Sequence, residues 1–479
     1  MEDYARRFGT SHPDGTFTFT PVRQGSIVAL LCAGALFGSL IAGKMADQLG
    51  RRVGISVSAF SCCIGIIIEI SSTTAWHQFA IGRFVNGLGI GSLSVLVPMY
   101  QSESSPTIIR GMLVASYQLF ITLGIWTAEM INYGTETQHS SSSWRIPNGM
   151  SFLWALILGG GILFLPESPR FAYRQGRKEE ARNTMGKLAG LAPDSRSVSN
   201  QITEIRVKLD EERAGVDTKW YEIFTGPKMF YRTMLGIVLQ AGQQLTGANF
   251  FFYYGTTIFQ GVGLPNSYVA QIILGSVNVI CTFAGLYVVQ RCGRRNALMF
   301  GAAWMMMCFL IYAFIGHFLL NTGKSPETGG NVLVVFSCLF IAAFAATWGP
   351  LVWAVVAELY PARYRAPCMA LATASNWLWN FLISFFTEFI VSDIDYLYGL
   401  VFAGCCAGLF LVVFFFVIES KDRSLEEIDT MYVLGVDPIT SAKWDGSKLL
   451  ASADTSSRTL SQVERGATAQ RVPTRTVEE

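Results

Sequence analysis

The sequence predicts an all-α membrane protein that is built from two helical bundles. Its 479 residues are 51% hydrophobic and only 15% charged, whereas a soluble protein carries about 25% charged residues. Two long apolar runs also end in nearly the same residues, GKMADQLGRR at 43–52 and QRCGRR at 290–295. A Gly-Arg-Arg turn that recurs 243 residues later indicates a duplicated bundle.

Other classes of protein are disfavoured by composition. The formal net charge of +2 gives no sign of nucleic-acid binding. The ten cysteines are scattered without metal-ligand spacing, so we expect small packing residues. We find no phosphate loop or nucleophile motif, and expect no enzyme, cofactor or metal. The polar first 20 residues do not resemble a signal peptide.

Eleven apolar segments are candidate membrane spans, since a transmembrane helix needs about 20 residues. The fifth segment is short, and its start is poorly marked. The candidate spans are 24–43, 53–72, 78–100, 111–132, 151–165, 233–255, 268–290, 297–320, 331–359, 368–391 and 398–418.

A polar stretch divides these spans into two groups. Residues 166–232 are rich in Arg, Lys and Glu, which predicts a cytoplasmic linker of short helices between a five-helix bundle, 24–165, and a six-helix bundle, 233–420. We expect residues 1–23 to form an extracellular N-terminal segment. The tail 421–479 is rich in Ser, Thr and Arg, which predicts disorder after about residue 435.

Basic residues in the short loops predict the orientation, because Lys and Arg are retained on the cytoplasmic side. One set of loops is strongly basic, whereas the opposite set holds only Arg145 and Lys324. We therefore expect the basic loops, the linker and the tail to be cytoplasmic. The basic set comprises Lys44, Arg51, Arg52, Arg110, Arg291, Arg294, Arg295, Arg363 and Arg365.

The duplication is incomplete at its start. Span 233–255, shifted back by 243 residues, falls mostly before Met1, so the second half has a helix that the first half lacks. Eleven spans also leave Arg6, Arg7 and Arg23 outside, against the positive-inside rule. We expect that the chain starts one helix too late and that a preceding helix would restore six plus six. A genuine eleven-span protein is the alternative.

Charged residues within the spans are few, and each is costly in lipid. Arg83 in span 78–100 either faces a partner or a watery path, or reaches the interface from near the helix end. Glu69, Glu129 and Glu388 could each carry a proton in a coupled cycle. Each lies toward the outer end of its span, however, which favours a hydrated position without a function.

Amide side chains lie on one face of span 233–255. Gln240, Gln243 and Gln244 are spaced i, i+3 and i+4, and a helix break at 246–247 would turn Asn249 to the same side. Amides offer both donors and acceptors, which suits a neutral ligand covered with hydroxyl groups, such as a sugar. The alternative is that these amides bond helices to one another.

Further amides and aromatic residues repeat this pattern in the second half. An aromatic face beside an amide fits a sugar ring, which is apolar on its faces and polar at its rim. Each Trp alone is more often a packing residue. Parallel repeats are typical of transporters whose substrate site lies between the halves. The residues are Asn278, Asn376, Asn380, Trp348, Trp353, Trp377 and Trp379.

Opposite charges recur in the basic loops after equivalent helices. Such pairs could hold the cytoplasmic face shut and release it as the halves rock. Alternatively, they are solvated pairs worth under about 1 kcal/mol each. They are Glu103 with Arg110, Glu167 with Arg170, and Glu358 with Arg363 and Arg365.

From about Asp3 to about Tyr432 the chain resembles the fungal hexose transporters, in the sugar-porter family of the major facilitator superfamily. The motifs that carry this resemblance are specific in combination rather than singly. They are Asp47 to Arg52, Gly82-Arg83, PESPR at 166–170, QQLTG at 243–247, GRR at 293–295, Glu358 to Arg365, SNWLW at 375–379, and Glu419 to Asp429.

The resemblance implies a two-bundle, twelve-helix fold with alternating access, of which eleven helices are predicted here. It also implies an outer gate near Tyr253 and Tyr254 and a possible coupling role for Arg83. It alone selects Gln118. The implied sugar-binding residues are Gln118, Gln243, Gln244, Asn249, Asn278, Trp353 and Asn376. The candidate cytoplasmic gate residues are Asp47, Arg51, Arg52, Glu103, Arg110, Glu167, Arg170, Arg294, Arg295, Glu358, Arg363 and Arg365.

Three positions depart from the family pattern. Gln48 stands where Arg is usual, Gln290 where an acidic residue is common, and Asp422 where Gly is usual. These departures bear on the strength of the gate rather than on the family. In proton symporters of the family, the first helix carries an Asp that pairs with the Arg matching Arg83. Without that helix, uniport and proton symport both stay open.

The combined expectation is a hexose carrier, above all for glucose, that acts as a monomer in the plasma membrane. The expected partners are the hexose, the lipid bilayer and, in the symport case, protons; no nucleic acid is expected. Two alternatives stay open. One is a glucose sensor on the same fold, which the short tail disfavours, and the other is a truncated, inactive form without the first helix.

Overall fold

The computed structural model describes residues 2–11, 17–105, 109–214, 221–226, 228–252, 267–320, 326–361, 364–421, 423 and 425–444. Helices fill nearly all of these ranges, and each of the eleven predicted spans coincides largely with helix. Nine helical segments among the described residues are long and apolar enough to cross a membrane. The prediction of an all-α membrane protein is confirmed.

The first bundle contains five long helices. Helix α2 begins at Pro21, which lacks the N–H that a first helical turn leaves unused. It ends at Leu49, and the next residue, Gly50, has a φ of 86°, a backbone conformation that favours glycine. Helix α3 starts directly after Gly50. The helices are α2 (Pro21–Leu49), α3 (Arg51–Ser71), α4 (Trp76–Ser104), α5 (Arg110–Thr135) and α6 (Ser142–Gly161).

Helix α6 begins earlier than the sequence predicts. The predicted span starts at residue 151, but the helix starts at Ser142. Its first turns carry Trp144 and Arg145, which suit the interface between membrane and water. These polar residues precede the apolar run but are already helical, so the predicted start of this span was wrong.

Four short helices connect the two bundles. Apolar side chains of three of them form a small core of their own, which includes Ala172, Tyr173, Ala181 and Ile205. The helices are α7 (Pro169–Arg174), α8 (Lys178–Ala189), α9 (Arg196–Ala214) and α10 (Glu222–Thr225).

The second bundle has a core rich in aromatic residues, in which Phe251, Phe309 and Phe340 contact one another. One further helix, α18, follows this bundle in the last described part of the chain. The helices are α11 (Met229–Leu245), α12 (Ser267–Arg291), α13 (Arg294–Ile315), α14 (Pro326–Ala346), α15 (Trp348–Leu359), α16 (Arg365–Ile394), α17 (Tyr398–Phe416) and α18 (Leu425–Leu434).

The predicted span 331–359 is a broken helix. Thr347 separates α14 from α15 with φ −129° and ψ −83°, outside the helical region. Pro350 follows three residues later and cannot donate a backbone hydrogen bond. The break therefore lies where Gly349 and Pro350 weaken the helix.

The N-terminal segment packs on one end of the first bundle. Helix α1 (Glu2–Phe8) is followed by two short antiparallel strands, β1 (Thr10–Ser11) and β2 (Phe17–Thr18). Phe8 is buried against Phe79 and Trp144. The Asp3 carboxylate accepts hydrogen bonds from Arg7 at 2.7 Å and from the Trp144 indole at 3.1 Å.

Two seams join the bundles, one between α2 and α16 and the other between α5 and the helices α12 and α15. Arg51 and Arg294 lie at the same end of the molecule, called here the basic end. Near it, Gly43 of α2 faces Ala370 of α16, and a Cβ on Gly43 would lie 3.5 Å from that of Ala370. At the opposite end, Gly25 faces Phe385.

Candidate functional site

Asn376 of α16 is the centre of a buried network of amides. Its Nδ2 group faces three acceptors, which are Gln240 Oε1 at 2.8 Å, Gln243 Oε1 at 2.9 Å and the Gln240 carbonyl at 3.1 Å. Its Oδ1 accepts from Gln244 Nε2 at 2.9 Å. Two N–H groups cannot fully satisfy three acceptors, so the network has acceptor capacity to spare.

Gln240 has the opposite imbalance, a donor without an acceptor. Its side chain is fully buried, and its Nε2 group has no hydrogen-bond partner among the described residues. An unused buried donor is costly. Gln240 lies on the helix face of Gln243 and Gln244, but the predicted sugar-binding set does not include it. Its position on that face is the sequence feature that would have placed it in the sugar-binding set.

Gln243 links the amide network to the break in span 331–359. Its Nε2 donates to the carbonyls of Trp348 at 3.1 Å and Gly349 at 2.8 Å. These carbonyls belong to the first turn of α15, next to the irregular residue Thr347. Helix α11 is thereby tied to the weakest point of the broken helix.

The predicted break at 246–247 is present and brings Asn249 to the network. Helix α11 ends at Leu245, and Gly247 has a φ of 89°. Phe402 and Phe309 would lie within 3 Å of a Cβ on Gly247, so the turn also has no room for a side chain. Beyond the turn, Asn249 Nδ2 donates to Gln244 Oε1.

The first bundle contributes to this region through α5. Gln118 is buried, and its side chain lies in van der Waals reach of Gly349, with Nε2 3.5 Å from where a Cβ on Gly349 would stand. Its neighbour Tyr117 contacts Trp353 edge to face, with ring centroids 5.2 Å apart. Gln118 and Gln243 therefore approach Gly349 from opposite halves.

Other predicted residues lie apart from the network or outside the described residues. Asn278 is buried in α12, and among the described residues its Oδ1 has no hydrogen-bond partner and no hydrogen bond joins it to the network. Trp348 is fully buried in the second bundle and donates to the Leu298 carbonyl, which makes it a packing residue. Tyr253 and Tyr254 lie outside the described residues.

Arg83 lies in a polar cluster inside the first bundle. Its guanidinium is 5.7 Å from the Phe79 ring, and its Nε is buried without a hydrogen-bond partner among the described residues. Glu69 of α3 is only 1% exposed and accepts from Asn86 Nδ2 at 3.2 Å. The expectation of a hydrated Glu69 was therefore wrong. The Glu388 side chain lies outside the described residues.

At the basic end, a cluster of charges in the first half surrounds the start of α3. Arg51 pairs with Glu103 at 2.9 Å, and both side chains are buried. The Glu167 carboxylate accepts from the backbone N–H groups of Arg51 at 3.1 Å and Arg52 at 3.2 Å. Asp47 pairs with Arg174 at 3.0 Å. Because Glu167 lies against the start of α3, it also offsets the positive helix end.

The second half repeats this cluster at the start of α13. Arg294 pairs with Glu358 at 3.2 Å. Glu419 accepts from the backbone N–H groups of Arg294 at 2.8 Å and Arg295 at 3.2 Å. Ser420 donates to Glu358 at 2.7 Å, as Ser168 does to Glu103 in the first half. Arg294, Glu358, Glu419 and Ser420 thus match Arg51, Glu103, Glu167 and Ser168.

The ion pairs between described residues at the basic end stay within one half. Arg170 interacts electrostatically with Glu103, also within the first half. The side chains of Arg295 and Arg365 donate to the carbonyls of Phe414 and Tyr360, in the second half. The Arg110 side chain and Arg363 lie outside the described residues. These contacts do not form the cross-half clamp that the loop charges suggested.

The network is chemically suited to a neutral, hydroxylated ligand, because its excess of acceptors and its unused donor match groups that both donate and accept. Its members are amides and carry no charge. Among the described residues, no cluster of His, Cys, Asp and Glu is placed to hold a metal ion.

Comparison with known proteins also indicates a transporter of hydroxylated, neutral molecules. A family model described as "Sugar (and other) transporter" matches residues 1–432. The low-affinity glucose transporter HXT1 of Saccharomyces cerevisiae is 45% identical over 447 residues, which cover 92% of this chain and 78% of that protein. The galactose transporter of the same yeast is 43% identical over 447 residues, with the same coverage.

The fold resembles solved structures of a bacterial transporter. The proton:xylose symporter XylE, bound to 6-bromo-6-deoxy-D-glucose, superposes with a TM-score of 0.75 at 24% sequence identity. The match covers 86% of this chain and 89% of that one. The major facilitator fold expected from the sequence is therefore confirmed.

Proposed function

The chain belongs to the sugar transporter family, and from this premise we propose that it carries a hexose, glucose above all, by alternating access. It is a multi-pass membrane transporter and not an enzyme. The relatives named as glucose and galactose transporters support a hexose as the substrate.

The observation that carries this proposal is the unbalanced amide network around Asn376. Three acceptors share its Nδ2 group, while Gln240 Nε2 has no partner among the described residues. A sugar hydroxyl accepts from one group and donates to another, so a single hydroxyl satisfies both shortages. We assign sugar contacts to Gln240, Gln243, Gln244 and Asn376.

The position of this network supports a transport cycle. Gln118 of the first half and Gln243 of the second both approach Gly349, so a sugar held there touches both bundles. Rocking of the halves about such a site exposes it to one side and then the other. Gln118, Asn249, Asn278 and Trp353 complete the proposed cavity, and Tyr253 and Tyr254 the proposed outer gate.

We place the basic end in the cytoplasm and the chain in the plasma membrane. Lys and Arg favour the cytoplasmic side, and the basic end holds Arg51, Arg52, Arg294 and Arg295. The amide network is formed within one chain, which supports a monomer as the working unit. Uniport and proton symport both agree with this geometry. An uncoupler of the proton gradient separates them, because it lowers accumulation by a symporter only.

Uptake of labelled glucose tests the proposal in a yeast host that lacks its own hexose carriers. We expect saturable uptake by this chain, and a KM about tenfold higher for Gln240→Leu, since one lost hydrogen bond at a binding site costs about 1–2 kcal/mol. Asn148→Ala is the matched control, because Asn148 bonds only a carbonyl within α6. No uptake by a chain that reaches the cell surface would contradict the proposal.

A further inference from the structure

Glu129 of α5 lies in the seam between the two halves. On the same face of α5, three residues earlier, the Trp126 indole donates to the Ser276 hydroxyl of α12 at 2.9 Å. Glu129 itself rests against the backbone of Gly275. A Cβ on Gly275 would lie 2.0 Å from Glu129 Oε2, so the carboxyl group occupies the space that a side chain at residue 275 would take.

The buried oxygen of this carboxyl group lacks a hydrogen-bond partner among the described residues. This oxygen, Glu129 Oε2, is inaccessible to water. No described side chain forms an ion pair with it either.

The titratable groups on α5 and on the helices that pack against it leave Glu129 uncompensated. None of those whose side chains the structure describes donates a hydrogen bond or an ion pair to it. They are Tyr117 and Tyr133 on α5 itself and Glu136 just after it, His77, Arg83, Tyr100 and Glu103 on α4, Arg145 on α6, Tyr268, Cys281, Tyr287 and Arg291 on α12, and Glu358 on α15.

The closed seam favours the neutral form of this group. Glu129 as a whole is half-buried, but one of its two oxygens is inaccessible and has no hydrogen-bond partner among the described residues. Burial without a partner disfavours the ionised carboxylate, whereas the protonated acid is tolerated. An open seam admits water, which solvates the ionised form. The protonation state of Glu129 and the closure of the seam are therefore linked, because the proton stabilises the closed arrangement only.

We propose that Glu129 is a proton-binding residue of the outer gate, which takes up one proton from external water when the seam closes. The same proton returns to the same side when the seam reopens, so no net proton crosses the membrane in this step. The inference rests on the proposed alternating-access function and on the proposed orientation, in which Glu129 lies in the outer part of the membrane.

The consequence is a transport rate that depends on external pH. Alkaline external solution keeps Glu129 ionised and holds the outer seam open, so the carrier cannot close over its sugar. Acidic external solution neutralises the group and permits closure. Uptake falls as external pH rises.

The experiment compares the chain with Glu129→Gln, which keeps the shape of the side chain but cannot ionise. Initial glucose uptake is measured from about pH 5 to about pH 8.5 in the carrier-free yeast, with surface abundance measured in parallel. We expect uptake to fall by about fivefold or more in the unchanged chain and by less than about twofold in the variant, as expected for removal of one linked group. Glu179→Gln, at an exposed position of α8 away from the seam, is the control and keeps the unchanged profile.

A second readout reports the seam without transport. Ser276→Cys is labelled from outside with a membrane-impermeant maleimide, alone and combined with Glu129→Gln, with the unchanged chain as the blank. We expect labelling of the single variant, divided by labelling of the combined variant, to rise with pH. Glu129→Ala provides the same comparison if the combined variant with glutamine does not reach the surface.

The two readouts separate the inference from the proposed function. A pH-dependent labelling ratio without glucose uptake supports the gate and overturns the sugar assignment. Uptake with the same pH profile in the unchanged chain and in Glu129→Gln, or a labelling ratio that does not change with pH, overturns the inference.

Discussion

Glu167 and Glu419 hold equivalent positions in the two halves of the molecule. Each follows the last helix of its bundle, and each accepts hydrogen bonds from two consecutive backbone N–H groups at the start of a helix, α3 or α13. The preceding glycines, Gly50 and Gly293, both have positive φ, of 86° and 79°. The duplication seen in the Gly-Arg-Arg motifs thus includes a carboxylate more than 100 residues away from each motif.

Neutralising either carboxylate is expected to destabilise its own bundle. Glu419→Gln and Glu167→Gln each lose the charge that faces two N–H groups, and a helix cap of this kind contributes about 0.5–2 kcal/mol. Thermal unfolding of the detergent-purified protein measures the effect. Glu179→Gln, at an exposed position of α8, is the control and is expected to change the stability by less than about 0.5 kcal/mol. Equal melting temperatures for all variants would refute the capping role.

Asn376→Asp is expected to impair sugar binding strongly. The substitution replaces the central donor of the network by an oxygen that faces the acceptors of Gln240 and Gln243. Because an unsatisfied buried polar group costs about 1–3 kcal/mol, we expect KM for glucose to rise by about tenfold or more. The control is Gln78→Glu, the same chemical change at a helix surface remote from the network, which is expected to leave KM unaltered.

Gly247→Ala is expected to be far more harmful than Gly408→Ala. Gly247 has a φ of 89°, and Phe402 and Phe309 leave no space for a methyl group. The strain of a non-glycine residue at such a φ is about 1–2 kcal/mol before any clash. Gly408 lies in α17 with open space around it, and alanine there is favoured by helix propensity. Surface abundance and glucose affinity of the two variants provide the comparison, and similar losses at both sites would contradict the role of the turn.

The N-terminal segment is expected to loosen in acid through Asp3. Burial alone would raise the pKa of Asp3, but hydrogen bonds from Arg7 and Trp144 outweigh this effect and lower the pKa below its usual value. The stabilisation is therefore fully present above the unfolded pKa of about 3.9 and is lost as the pH falls through the lower folded value. The difference in unfolding temperature between the unchanged chain and Asp3→Asn is expected to be constant near neutral pH and to vanish in strong acid. A difference that persists below about pH 2 would argue for another cause.

The sequence predicted the spans well because lipid demands long apolar helices, and that demand is local. It also located the break at 246–247, where glycine weakens the helix. The start of α6 was missed because interfacial residues such as Arg145 are polar yet helical. The partners of each amide and carboxylate depend on how distant helices approach. The sequence places Gln240 on the amide face but does not single it out as a sugar-binding residue. No pattern in the sequence predicts that Glu69 is buried against Asn86.

Because the ion pairs between described residues at the basic end stay within one half, the transport rate should depend on temperature in a characteristic way. Ion pairs between described residues there, such as Arg51 with Glu103 and Arg294 with Glu358, travel intact with their own half. The described contacts that part when the seam between α2 and α16 opens are uncharged and largely apolar, such as that of Gly43 with Ala370. Exposing apolar surface raises heat capacity, and its free energy changes with temperature far more than with ionic strength. The rate of sugar movement should therefore give a curved Arrhenius plot that added salt leaves almost unchanged.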